Sequence, residues 1–384
     1  MNTATPNPID LQALVTALRA SRGFAHKRDI SDVVTALSQA LPGGLRDTVV
    51  GAPSDGLGAT PSGVLLGDDC AAIPDGDGHL LFAIEGLVED FVEQMPWFAG
   101  YSGVMVNLSD IAAMGGRPIA VVDALWSASQ QEAEPVLQGM AAASSAYGVP
   151  IVGGHSNNRA PKGQLAVAVL GRAKRLLSSF AAQPGDALLM AVDLRGQWQA
   201  PYPFWNASTT APAERLRADL ALLPDIAEAG ECCAAKDISM AGVLGTALML
   251  LECSGVGATV DLSRLPCAPG HAPADGMEAF LRWLNAFPSF GYLLSVAPDQ
   301  VEAVRARFQQ RCIACEAIGE VQAHHQLRMV MGDQAHDGVA NHSAVLWDLE
   351  AEPFIGARIP ASELPVLPTM PCTTDPAPTL QEAA

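Results

Sequence analysis

Acidic residues in this chain recur at one kind of place, where an apolar run ends or a helix begins, beside small residues. The sites are Gly67-Asp68-Asp69, Ile84-Glu85-Gly86, Asn107-Leu108-Ser109-Asp110 and Lys236-Asp237-Ile238-Ser239. Carboxylates carried on strand ends can converge on one cleft, which suits a fold of short strands alternating with helices. Mg²⁺ takes hard oxygen ligands in octahedral geometry and shares its shell with phosphates. A cluster of this kind could hold two or more Mg²⁺ ions against a polyphosphate. The same residues admit a plainer reading, because an Asp before a helix is commonly an N-cap. Asp110 before Ile111–Met114, or Asp237 before the run that follows it, could be no more than that. Asp68-Asp69 is the least cap-like site, since adjacent like charges are unfavourable without a cation.

The charge balance also favours a cationic partner. Asp and Glu number 41 against 22 Lys and Arg, a formal charge of −19. Such a chain is not attracted to nucleic acid or to an anionic membrane surface. With 384 residues, 49% of them hydrophobic, it can bury a sizeable core, and its length suits two domains. The start, MNTATPNPIDLQALV, has no basic, apolar leader, and no run approaches the ~18 apolar residues of a membrane helix. Eight scattered cysteines fit a reducing cytoplasm better than a disulfide scaffold. The single CxxC, Cys312–Cys315, lacks the second pair that a zinc ribbon needs.

Along the chain, residues 9–41 read as two helices, and the Gly/Pro/Ser-rich stretch 51–63 as a mobile loop. Strands are expected at Val64–Leu66, Leu80–Ile84, Ile119–Leu125, Pro150–Val152 and Leu165–Leu170, with helices at Phe98–Met114 and Glu132–Tyr147. Pro184-Gly185-Asp186 opens a second unit, with strands at Ala187–Val192, Val256–Val260 and Gly291–Val296. Its helices are expected at Ala213–Ala229, interrupted at Pro224, at Ile238–Glu252 and at Pro298–Arg311. The division is N-terminal helices 1–50, a first domain 51–175, a second 176–350, and a Pro-rich tail 351–384. Residues 194–210 crowd Arg195, Trp198, Tyr202, Phe204 and Trp205 into a Pro-containing loop, which suits a planar or apolar acceptor or a packed lid.

The motifs GDDCAAI (67–73), IEGLVEDFV (84–92), VNLSDIAAMGGRPIAVVDALW (106–126), VGGHSNN (152–158), KDISMAGVLG (236–245) and PSFGYLLSV (288–296) occur in an order that resembles the PurM-like ATP-binding superfamily. That superfamily includes aminoimidazole ribonucleotide synthetase, thiamine-monophosphate kinase and selenophosphate synthetase. The resemblance implies a two-domain α+β architecture with an α/β sandwich as its second domain. It implies a homodimer in which the first domains pair their sheets, and ATP and Mg²⁺ as cofactors. By the same resemblance, Asp68, Asp69, Asp110 and Asp237 hold Mg²⁺, and Glu85 holds metal or orders water. Asn107 and the glycine turn Gly153-Gly154, with His155 and Ser156, lie against the nucleotide. The activity implied is phosphoryl transfer to a small-molecule acceptor.

Several positions depart from the relatives. Glu85 stands where the kinase and the selenophosphate enzyme carry Asp, and His155 is shared with the latter but not the former. Met240 replaces a metal-binding Asp of the kinase. The loop before Gly67 has no Cys, and its nearest upstream Lys is Lys27, so a selenide nucleophile would lack its partner. Cys70 lies among anions, which raise a thiol pKa. The best match is the AIR-synthase-related branch, with a retained nucleotide site and a changed acceptor site. Thiamine-kinase-like and selenophosphate-synthetase-like enzymes, and a non-catalytic nucleotide-binding protein, remain as alternatives. No general base can be named.

Overall fold

The computed structural model describes residues 9–40, 66–332 and 343–357. The loop 51–63, most of the expected strand at Val64–Leu66 and most of the Pro-rich tail lie outside these residues.

The chain opens with α1 (Leu11–Arg19) and α2 (Arg22–Ala40). Asp10 caps α1, its carboxylate accepting from Gln12 N at 2.9 Å and Ala13 N at 3.1 Å. Leu11, Leu14 and Leu18 share one face of α1, and all three are buried. That face, with Phe24 of α2, belongs to the core of the second sheet rather than the first.

The first sheet combines β1 (Ala71–Asp75) and β2 (Gly78–Leu87), then, after α3 (Glu89–Gln94) and α4 (Pro96–Ala113), β3 (Arg117–Trp126). Helix α5 (Gln130–Tyr147), β4 (Ile151–Asn157) and β5 (Gln164–Ala173) complete it. The strand order is β1-β2-β5-β3-β4, antiparallel except for the β3–β4 pair. Helix α4 is buried on nearly every side, and α5 crosses it closely. Glycine permits that crossing: a Cβ on Gly139 would stand 1.9 Å from the Trp97 carbonyl oxygen, and one on Gly100 2.0 Å from that of Val136. The opposite face of the sheet is open and apolar, with Phe82 48%, Ile84 65%, Val122 40%, Val152 64% and Leu170 37% exposed. Monomeric proteins rarely leave such a patch uncovered.

The second unit begins with β6 (Ala187–Val192), and β7 (Gln197–Gln199) and β8 (Phe204–Asn206) form a two-stranded ribbon. Then come α6 (Ala213–Leu220), α7 (Leu222–Ala229), β9 (Ala234–Asp237), α8 (Gly242–Ser254), β10 (Gly257–Asp261), α9 (Met277–Leu284), β11 (Gly291–Val296), α10 (Val301–Gln310), β12 (Ala314–Gln322), β13 (Gln326–Val330) and β14 (Ser343–Asp348). The seven-stranded sheet has the order β14-β13-β10-β12-β6-β11-β9. Helices cover both of its faces. Leu188, Met190 and Val192 of β6 point into the core shared with α1, α8 and α9, while Leu189 and Ala191 point into the core shared with α7 and α10. A strand buried on both faces reads as an unbroken apolar run. The helix expected over 213–229 breaks at Ala221 because the Pro224 ring cannot coexist with the carbonyl of Leu220 in a continuous helix.

One expectation is corrected, and the plainer reading of two acids falls away. Gly153-Gly154 is not a turn: both residues lie inside β4, paired with Val122 and Asp123 of β3. Neither Asp110 nor Asp237 is an N-cap. Asp110 lies within α4, and Asp237 ends β9, with Ala241 preceding the first residue of α8.

Candidate functional site

The acids come from both units. Strand β9 carries four buried residues, Ala234-Ala235-Lys236-Asp237, paired with β11 so that Asp237 lies opposite Tyr292. The segment before β1 delivers Asp69 to the same place, and the last turn of α4 delivers Asp110. One carboxylate oxygen from each of Asp69, Asp110 and Asp237 lies within 4.8 Å of the other two. Asp69 is paired with the Lys236 ammonium and also accepts from Asp237 N at 3.2 Å. Asp237 Oδ1 is buried with no hydrogen-bond partner among the described residues. An orphaned buried carboxylate oxygen is costly, and a cation is the partner that removes the cost.

The electrostatics fit that requirement. Burial, and then Asp237, Glu85 and Asp69, push the Asp110 carboxyl well above the ordinary range. Burial and Asp69 push Asp237 up to about 8. Burial pulls the Lys236 ammonium down, but Asp69 and Asp68 outweigh it and hold the group firmly charged. Fully ionised, the three carboxylates would carry more negative charge than Lys236 neutralises, and the raised Asp110 and Asp237 carboxyls express that excess. All its donors are oxygens, the set that Mg²⁺ prefers.

The remaining expected site residues are placed differently. Asp68 lies outside the three-carboxylate group. Its oxygens accept from Ser178 Oγ at 2.7 Å, Ser179 Oγ at 2.7 Å and Ser179 N at 3.1 Å, which ties the site segment to the second unit. Glu85 is also outside the group, on an exposed stretch of β2, yet its charge acts on both Asp110 and Asp237. Asn107 is fully buried one turn before Asp110, its amide donating to the Gly103 carbonyl at 2.7 Å. Its Oδ1 is buried with no hydrogen-bond partner among the described residues. Gly153, Gly154, His155 and Ser156 lie exposed on the edge strand, three strand positions from β2, or about 14 Å away. Within one chain they stand that far from the strand that carries Glu85.

Sequence reasoning missed several neighbours. Lys236 was visible only as a lysine inside a motif, and its burial marks it as the internal counter-ion. Asp123 shares a cross-strand row with Val167 and Glu85. It also explains Gly154, where a Cβ would meet Asp123 Oδ1 at 2.3 Å. Cys70 is buried, and burial followed by Asp110 and Asp69 raises its thiol, in line with an unreactive side chain.

Two sheet-and-helix units that gather acids from both into one cleft form the PurM-like two-domain architecture. Family models match the chain as the AIR synthase related protein, N-terminal domain, over residues 67–173 and C-terminal domain over residues 192–332. The chain belongs to the AIR synthase-related family. An uncharacterized protein of Synechocystis sp., sll0787, is 44% identical over 347 residues, covering 90% of this chain and 98% of that one. A thiamine-monophosphate kinase of Synechococcus elongatus is 25% identical over 292 residues, covering 70% of this chain and 87% of the kinase. Among solved structures, T. maritima PurL complexed with ATP has a TM-score of 0.60 at 18% identity, covering 75% of this chain and 46% of PurL. The chain therefore spans about half the length of that protein. AaThiL complexed with AMPPCP and TMP has a TM-score of 0.55 at 19% identity, covering 74% of this chain and 93% of that one. At these identities the structures share a fold with this chain. Among the described residues no helix is long and apolar enough to cross a membrane.

Proposed function

We propose that this protein binds ATP with Mg²⁺ and transfers the γ-phosphoryl group to a small-molecule acceptor. The observation that carries the reading is the Asp69–Asp110–Asp237 group with the orphaned Asp237 oxygen. Mg²⁺ held there would supply charge neutralisation for the phosphates. The chain's own residues do the rest. Asp69, Asp110 and Asp237 orient the cation, Lys236 fixes Asp69, and the Ser178 and Ser179 donors to Asp68 hold the segment in register. In the transfer a bond forms between an acceptor oxygen and the γ-phosphorus as the bond to the bridging oxygen breaks. ADP leaves with that electron pair, and the acceptor proton passes to solvent. Positioning and electrostatics supply most of what such a reaction needs.

The exposed apolar face of the first sheet supports a homodimer built by burying that face against the same face of a second copy. In a dimer of that kind His155 and Ser156 would lie near a nucleotide bound along the joint cleft. The test uses the purified full chain with Mg²⁺. Calorimetry is expected to show Mg²⁺-dependent ATP binding, sedimentation a mass twice that of the chain, and ADP to accumulate once a competent acceptor is added. Metal-dependent binding without turnover for any acceptor tried would favour a nucleotide sensor. Binding indifferent to Mg²⁺ would remove the assignment.

A further inference from the structure

Two cavities adjoin the acidic residues' units, and they differ in capacity. One, between α4 and the second sheet, encloses about 70 Å³, room for a few waters. The other encloses about 510 Å³, inside the range of small-molecule sites. Its position follows from the chain: Met240 in its wall is three residues past Asp237, and Val88 is three past Glu85. Gly23 at the start of α2 closes it, packed so tightly that a Cβ would stand 2.6 Å from Ala241 N. Lys27 lies one helical turn beyond Gly23 on the same face, and its charge acts on both Glu85 and Asp237. The cavity wall thus continues from the ends of β2 and β9, the strands that carry Glu85 and Asp237.

Its lining is aromatic and electrically balanced. The tip of the β7–β8 ribbon supplies Tyr202 and Phe204, stacked at 4.8 Å and 17°. Phe287 stands edge-on to Phe204 at 4.9 Å. Phe91 packs edge-on against both Tyr202 and Phe204, at 5.5 and 4.9 Å, so this wall is held rigid before anything binds. The charged groups cancel: Arg22 pairs with Asp90 at 3.3 Å, and the Tyr202 hydroxyl donates to Asp90 at 3.3 Å. Gln94 and Asn285 add neutral amides, the latter oriented by its bond to the Leu281 carbonyl at 2.8 Å. Aromatic walls select a flat ring, balanced charge selects a ring without net charge, and side-chain amides select hydrogen-bonding ring edges.

We propose that this cavity is the acceptor subsite and that it takes an uncharged heteroaromatic ring, with the group to be phosphorylated pointing out toward Asp69, Asp110 and Asp237. The proposal rests on the phosphoryl-transfer reading for the direction of the acceptor, but not for the ring site itself. Saturation-transfer NMR on the full chain tests it with quinoline, benzimidazole and, as a non-planar control, cyclohexylmethanol. The two aromatic probes are expected to receive saturation and the control none. Tyr202→Ala removes a stacking surface and is expected to weaken the aromatic probes roughly 10-fold. Gln94→Ala, on an exposed position of α3 where folding is not at risk, is expected to weaken benzimidazole more than quinoline. Mg·ATP affinity by calorimetry should stay unchanged in both variants. Equal probe binding in wild type and both variants, preference for cyclohexylmethanol, or no aromatic binding would each overturn the proposal. Loss of ATP binding in the wild type with ring binding intact would instead sink the phosphoryl-transfer reading and leave the ring site standing.

Discussion

Asp110→Asn is expected to lower Mg²⁺-dependent ATP affinity by at least about 100-fold, since even residues that merely support a metal ligand cost 10- to 100-fold when changed. The same substitution is expected to make the metal-free protein more stable. Asp110 is buried, and Asp237, Glu85 and Asp69 all oppose its charge. An amide of the same shape removes that repulsion and breaks no hydrogen bond seen among the described residues. A gain of roughly 1 kcal/mol corresponds to about 2–4 °C in melting temperature for a domain of this size. Calorimetry of ATP with and without Mg²⁺, and a thermal melt in EDTA, read the two effects separately. Opposite signs are the signature of a site that stores repulsion for a cation to relieve. A fall in both affinity and metal-free stability would mean that Asp110 is a structural residue. Unchanged affinity would remove it from the metal site.

Much of the architecture was legible because burial on both faces leaves an unmistakable pattern. The run Ala187–Val192 alternates between two cores and contains no polar residue, so the strand could be bounded from the sequence. The strands β12, β13 and β14 carry no such pattern. Gln326–Val330 mixes Gln and Arg with Leu, Met and Val, and nothing local separates such a segment from a loop until its neighbours in the sheet are known. Gly153-Gly154 misled for the opposite reason. Paired glycines ordinarily signal a turn, but here one of them answers a tertiary demand, the approach of Asp123 from the adjacent strand.

The site was legible in composition and not in arrangement. Asp69, Asp110 and Asp237 could be chosen from the sequence because each sits beside small residues in a distinctive motif. Separating Asp69 from Asp68 could not be done there. Adjacent carboxylates look alike on paper, and only the Ser178 and Ser179 donors, more than a hundred residues away, show which one the protein itself satisfies. The aromatic loop also divides in a way its composition conceals. Neighbouring residues on β8 face opposite sides, so Trp205 joins one core and Phe204 the other. The ribbon thereby pins the two units together and still offers its tip to the cavity.

Removal of the Lys236 charge is expected to act on stability in the direction opposite to that of Asp110→Asn. The ammonium is buried, with 3% of the residue exposed, and is paired with Asp69. Lys236→Met keeps most of the length and the apolar stem while deleting the charge. It leaves Asp69, Asp110 and Asp237 facing one another with no buried cation, and breaking a buried pair from one side costs about 3–5 kcal/mol. Urea denaturation in EDTA should show a loss of that size with an unchanged slope. Adding Mg²⁺ should then restore more stability to the variant than it adds to the wild type, since the ion takes over a neutralising task that lysine otherwise performs. Combining Lys236→Met with Asp69→Asn should recover part of the loss, because the two residues are in direct contact and their effects cannot be additive. A loss below about 1 kcal/mol, the scale of an exposed ion pair, would mean that water reaches the group and that its carboxylates do not repel one another across a dry site.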